Sequence, residues 1–271
     1  MILVILSGAA ALVLEGSYNS DPLNFVLVLL GLYMAGGSAN ALNQYFERDL
    51  DAQMSRTRKR RPLPLGQLRP AQALMFSIAI GIASIAVFAL MFTWLAALLS
   101  LATILFYGLF YTLILKPNTD QNIVIGGAAG AMAPLIAWAA ASGTLAVTPA
   151  ILFLIVFVWT PPHFWALALY FKDDYKTVKL PMLPVIRGED TTLNYIFFYT
   201  IALVAVSLAL LAVSAGPLYV MTAVILGALF LKKAFIARRE KKRELQWALF
   251  GYSIVYLFGL FLAMIVDSII F

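Results

Sequence analysis

Apolar positions in this chain come in runs, not in alternation. A helix rising 1.5 Å per residue needs about 20 apolar residues to cross roughly 30 Å of hydrocarbon. Nine stretches of that kind stand between polar punctuation: 1–14, 23–41, 71–92, 94–115, 123–142, 147–170, 193–213, 217–235 and 247–271. The first is the shortest, reaching about 21 Å. No Lys or Arg precedes it, as a secretory signal would require, so it reads as a short first span. Composition points the same way: 63% of the 271 residues are hydrophobic and 12% charged, a balance foreign to water-soluble domains. Without a cysteine, disulfide scaffolds, zinc–thiolate sites and iron–sulfur clusters drop out. The pattern therefore predicts an all-α polytopic membrane protein, a single domain over 1–271 with about nine transmembrane helices.

The net charge of +6 would raise nucleic acid as a partner if it formed a patch on a soluble surface. It does not. Of the 19 basic residues, seven fall between spans two and three, Lys116 between four and five, four between six and seven, and seven around the junction of eight and nine. Connections on the other side carry none, and only Glu15, Asp21 and Asp267 lie toward that face. Basic residues near span ends are retained in the cytoplasm. The expected topology is a multi-pass protein of the cell (inner) membrane, with a cytoplasmic amino terminus and the carboxy terminus opposite. The charge serves topology, the partner is the lipid bilayer, and nucleic acid is excluded.

Ionisable residues at the end of an apolar helix are costly and mark functional sites. One cluster closes span two. If the helix continues, Asn43, Glu47 and Asp51 stand at i, i+4 and i+8, on one face over roughly 12 Å, with Asp49 opposite. Oxygen donors of this kind suit Mg2+, which keeps several waters and bridges to substrate phosphates. Arg56, Arg58, Lys59, Arg60 and Arg61 follow at once. An acidic face beside guanidiniums matches a metal-diphosphate, since arginine binds phosphate oxygens bidentately. The plainer alternative is a solvated helix end carrying topogenic charge.

A second cluster closes span six. Pro161 and Pro162 are expected to break or kink the helix before His163, the only histidine. On a continuing helix His163, Tyr170 and Asp174 share a face, Lys172 lies opposite and Asp173 to one side. Asp173 and Asp174 are candidates to complete the metal site across from Glu47 and Asp51. His163 serves either as a polar packing residue or as a contact to a porphyrin or its iron. Span five opens with Asn122 and a run of small residues, Gly126, Gly127, Ala129 and Gly130, which allow close helix packing. Lys116 and Asn122 face the same membrane side and are candidate diphosphate contacts.

These clusters resemble the UbiA-type intramembrane prenyltransferases, and most closely the branch of that family whose acceptor is haem. The family's Asn-x3-Asp-x3-Asp motif reads Asn43, Glu47, Asp51, and Met54, Arg56, Thr57, Arg61, Pro62 and Leu63 follow as in the haem branch. One extra residue between Thr57 and the Arg-Pro pair leaves Arg60 and Arg61 as alternatives for the family's arginine. Pro162-His163-Phe164-Trp165, Lys172-Asp173-Asp174-Tyr175, Leu115-Lys116 and the 122–128 segment are similar to the same branch. Family members open with a short basic segment before the first span, so this chain is expected to lack part of that amino terminus.

The resemblance implies a UbiA-type bundle with its active site at the cytoplasmic side. It also implies transfer of farnesyl from farnesyl diphosphate to a vinyl group of haem b with addition of water, giving haem o and pyrophosphate. Mg2+, or Mn2+ in its place, is the implied cofactor. Asn43, Glu47, Asp51 and Asp174 are the implied catalytic set, and Glu47, Asp51, Asp173 and Asp174 the metal ligands. Arg56, Arg60 or Arg61, Lys116, Asn122, Tyr170 and Lys172 are the implied substrate contacts, and His163 the haem contact. A haem A synthase or terminal-oxidase assembly is the downstream partner. Two rivals remain: a prenyltransferase acting on an aromatic or quinone precursor, and a secondary transporter, whose ion sites lie at mid-membrane.

Overall fold

The computed structural model describes residues 1–213 and 215–270. Among them, nine principal helices follow one another: α1 Ile2–Glu15, α2 Pro22–Phe46, α3 Pro70–Met91, α4 Trp94–Asn118, α5 Asn122–Ser142, α6 Val147–Tyr170, α7 Gly188–Ala212, α8 Pro217–Glu240 and α9 Arg243–Ile270. All but α1 are long and apolar enough to cross a bilayer. Eight of the nine expected spans are thus recovered, with changed ends, and the first is the short apolar helix α1. Helix α2 runs five residues past the apolar stretch, and α8 carries Lys232, Lys233, Arg238 and Arg239 on its own last turns. The end of the ninth expected span, Phe271, lies outside the described residues.

Consecutive helices pack side by side, α9 returns onto α1, and α6 also packs against α9. The outward faces are apolar, with Leu23, Met75, Ile82, Leu90 and Trp94 each at least 60% exposed, as lipid contact requires. Several polar groups inside bond across helix pairs. Ser84 donates to the Gly31 carbonyl at 2.8 Å between α3 and α2, and Tyr219 to the Ser207 carbonyl at 2.8 Å between α8 and α7. With no water to take their place, such bonds hold neighbouring helices in register.

At the membrane face away from the basic connections, helix starts are capped by acids. Asp21 accepts from the Asn24 N–H at 3.1 Å and opens α2. Asp267, buried near the end of α9, accepts from the Leu218 N–H at 2.9 Å at the start of α8. It occupies the space a side chain on Gly216 would need. Asp267→Ala is therefore expected to destabilise the protein by roughly 1–2 kcal/mol through the loss of a cap. Thermal unfolding in detergent checks this, and an unchanged midpoint would refute the capping role.

Helix α6 differs from expectation. Pro161 and Pro162 lie inside it, yet it continues from Val147 to Tyr170. Both prolines are buried among neighbouring helices, and Thr160 donates to the Val156 carbonyl at 2.8 Å. Tertiary packing thus holds a segment that local propensity would interrupt. The break comes later, at Phe171 (φ −102°, ψ 27°), and it redirects everything beyond.

Candidate active site

The polar end of α2 keeps its face through a change of helix. Glu47 leaves helical geometry (φ −93°, ψ 7°), and a single turn, Arg48–Asp51, follows. The Glu47 N–H still donates to the Asn43 carbonyl at 2.9 Å, and the Asp51 N–H to the Glu47 carbonyl at 2.7 Å. The i, i+4, i+8 stack therefore survives, with Asn43 2%, Glu47 7% and Asp51 1% exposed. Asp49 points outward, its side chain 87% exposed, as the spacing predicts.

Cations from two other segments meet this stack. Lys116, at the end of α4, brings Nζ to 2.5 Å from Glu47 Oε1. Arg61 pairs with Asp51 and comes within 3.7 Å of Glu47 Oε2. The loop folds back far enough for this because Thr57 donates to the Asp51 carbonyl at 2.8 Å and Met54 is buried beneath it. Arg60 is exposed, so of the two alternatives it is Arg61 that enters the site. Burial pushes the Asp51 carboxyl above its ordinary value, and the Arg61 guanidinium draws it back only in part. Glu47 Oε2 is buried without a hydrogen bond.

Helix α4 is wound more widely over Phe106–Leu115, with i→i+5 bonding. Such segments recur at functional sites because they re-aim the side chains that follow. Thr112 donates to the Tyr107 carbonyl, five residues back, at 2.8 Å, and its oxygen accepts from Asn43 Nδ2 at 3.1 Å. Tyr107 and Tyr111 stack at 5.0 Å. Gly126 of α5 lies so close to the Tyr111 ring that a Cβ there would collide with it. Gly126 thus has the packing role expected of it, as does Gly127 against Thr160, whereas Gly130 is exposed with open space around it.

The second cluster divides. His163 and Tyr170 turn to α9, where Arg243 lies 4.4 Å over the Tyr170 ring and Trp247 packs at 4.7 Å. Beyond the break at Phe171, Asp174 turns the other way. Ser55 Oγ bonds it at 2.6 and 2.8 Å, and the Arg56 N–H donates to it at 3.1 Å. The expected common face of His163, Tyr170 and Asp174 does not form, because the helix does not continue. Asp173 is exposed and stays outside the cluster. Lys172 is half-buried and makes no ion pair among the described residues. Asn122 is fully buried but bonds locally, Nδ2 donating to the Thr119 carbonyl at 2.6 Å, while its Oδ1 has no partner. Tyr170 and Asn122 are therefore not joined to the carboxylates.

Sequence reasoning names Tyr175 only within its motif and gives it no role, yet it is 5% exposed and feels the charges of Arg56, Glu47, Asp174 and Arg61. Burial pushes its phenol up against the pull of Arg56, so it stays a hydrogen-bond donor. Ser55 and Thr112 are likewise given no role. Only their tertiary partners reveal them.

Beneath the charged end, an apolar cavity of about 440 Å³ is lined by α1, α2, α4, α5, α6 and α9. Asn40, one turn before Asn43, and Tyr107 and Tyr111 are on its wall, as are Trp159 and His163. A buried anionic stack, the cations paired with it and an apolar chamber suit an amphiphile with a polyanionic head and a hydrocarbon tail. Among the described residues, no three His, Asp or Glu side chains converge as a closed metal cage. The donors fit Mg2+ nonetheless, since that ion is commonly held by one or two carboxylates together with substrate phosphates. Glu47, with a free buried oxygen, and Asp51 are such a pair.

The family model for the UbiA prenyltransferase family matches residues 3–265. Protoheme IX farnesyltransferase of Synechocystis sp. is 45% identical, over 98% of this chain and 85% of that protein. The protein of the same name from Symbiobacterium thermophilum is 46% identical, over 98% and 90%. Among solved structures, digeranylgeranylglyceryl phosphate synthase superposes with a TM-score of 0.81 at 19% identity, covering 98% of this chain and 93% of that one. A UbiA homologue from Archaeoglobus fulgidus bound to GPP and Mg2+ gives 0.67 at 16% identity, covering 97% and 95%.

Proposed function

Because the chain belongs to the UbiA prenyltransferase family, we propose that the anionic stack over the apolar cavity is where a prenyl diphosphate is split and haem is alkylated. The enzyme transfers farnesyl from farnesyl diphosphate to a vinyl group of haem b with addition of water, as a protoheme IX farnesyltransferase does. One observation carries the assignment of the site: Asn43, Glu47 and Asp51 are buried in line, the two carboxylates paired with Lys116 and Arg61, one turn beyond Asn40 on the cavity wall.

Glu47 and Asp51, with Asn43, are the residues that would hold Mg2+. When bound, that ion supplies Lewis-acid stabilisation of the departing pyrophosphate. Lys116 and Arg61, which pair with the two carboxylates, are the cations that would bind diphosphate oxygens. Arg56, whose buried Nε has no partner, is positioned by Asp174 through its own N–H and adds a third cation. Tyr175 donates a hydrogen bond into the same space. The cavity walls keep water from the allylic cation. His163, on that wall, contacts the haem. The charged end faces the cytoplasm, where the basic connections are retained, and the amino terminus lies on that side. The product is a farnesylated haem for terminal-oxidase assembly.

Membranes containing the protein, incubated with haem b and farnesyl diphosphate, are expected to yield haem heavier by one farnesyl and one water, with Mg2+ and not with EDTA. Prenylation of an added hydroxybenzoate in place of haem would overturn the acceptor and leave the diphosphate site standing.

A further inference from the structure

His163 is the single histidine of the chain, and its ring is held from several sides. It lies between Trp159 of α6, stacked at 4.2 Å and 19°, and Phe250 of α9, stacked at 4.6 Å and 28°. Phe164 meets it edge-on at 4.9 Å. Its Nδ1 is 2.7 Å from Ser253 Oγ, and that hydroxyl donates to the Phe250 carbonyl at 2.6 Å. The backbone of Ser253 is itself tied to α6, because Trp159 Nε1 donates to its carbonyl at 2.7 Å.

A hydroxyl has one proton to donate. With that proton on the Phe250 carbonyl, Ser253 Oγ can only accept from His163, so the hydrogen of the neutral imidazole is on Nδ1. The lone pair is then on Nε2. Among the described residues Nε2 has no hydrogen-bond partner, yet it is not among the sealed polar atoms, and His163 lines the cavity. Nε2 is therefore the nitrogen the ring can offer to the chamber.

We infer that His163 Nε2 ligates the iron of the haem acceptor, with Ser253 as the positioning residue that fixes the tautomer. The inference rests on haem being the acceptor. Histidines that ligate metals almost always give their second N–H to an acceptor, and this outer partner orients the ring and strengthens the ligand. Ser253 fills that place. A general base here would become an imidazolium among Trp159, Phe164 and Phe250, paired with no carboxylate among the described residues. An iron ligand stays neutral, which suits the burial. Held by its iron, the macrocycle keeps its vinyl edge free for alkylation.

The test is titration of the purified full chain in detergent with haem b, followed by absorption and, after reduction, by resonance Raman. The wild type is expected to show an iron–histidine stretch. His163→Ala and His163→Met are both expected to lose it, and added imidazole to restore it in the alanine variant. Ser253→Ala should keep the ligand but shift the stretch and weaken haem binding about 10–100-fold, with Ser253→Thr recovering both. Bound haem with no such stretch, or with one unchanged in both His163 variants, overturns the inference alone. A wild type that takes up no haem overturns the haem acceptor and this inference together.

Discussion

Asp51→Asn is expected to lower haem farnesylation by on the order of 10³-fold at saturating Mg2+, the several kcal/mol that metal stabilisation of a leaving group supplies. The substitution preserves shape and removes charge at a residue only 1% exposed. Asn at this position still accepts from Arg61, so the loop keeps its place and the variant should elute as a folded protein. Asp49→Asn, two residues away with a side chain 87% exposed, should leave the rate unchanged. Haem o formation in membranes, followed by mass, separates the two. Near-wild-type turnover in Asp51→Asn would remove this carboxylate from the site.

Arg61→Ala is expected to affect stability as well as turnover. It leaves Glu47 and Asp51 with Lys116 as their remaining cation, and breaking a buried pair by deleting one partner costs roughly 3–5 kcal/mol. The lower end applies, because the Arg61 side chain keeps 21% exposure and burial already pushes Asp51 toward its neutral form. The thermal midpoint in EDTA should fall accordingly. Mg2+ should restore part of it, because a divalent cation takes over the neutralisation. Arg60→Ala, at an exposed position, should match the wild type in both measurements. Equal midpoints for the two variants would overturn the pairing of Arg61 with the carboxylates.

Much of the fold could be read from the order of residues, because the bilayer constrains helices by length and apolarity alone. The alternation of basic connections and the one-sided stacking of Asn43, Glu47 and Asp51 follow from the same arithmetic. What could not be read depends on partners far along the chain. Lys116 sits beside a proline, and nothing local says it reaches Glu47, 69 residues earlier. The wide winding of 106–115 leaves no compositional trace, since its residues are as apolar as those before it. The two prolines of α6 do not break the helix that contains them. Their local tendency to break a helix is overridden by burial, and the real break at Phe171 carries no Pro or Gly. For the same reason Tyr175 became visible only when its surroundings did.

The Glu47–Lys116 pair has a consequence for biogenesis. Its members come from α2 and α4, with all of α3 threaded between them. When α2 leaves the translocation machinery, Glu47 has no Lys116 to meet, and an unpaired charge is expensive at membrane depth. Arg61, made before Lys116, can already meet Asp51, so in the nascent chain Glu47 is the carboxylate whose close ion pair waits until α4 has packed against α2. The Glu47–Lys116 contact is thus completed by lateral association of α2 with α4. A chain interrupted before Lys116 would leave Glu47 without that partner, with Arg61 as the cation already made that meets the stack.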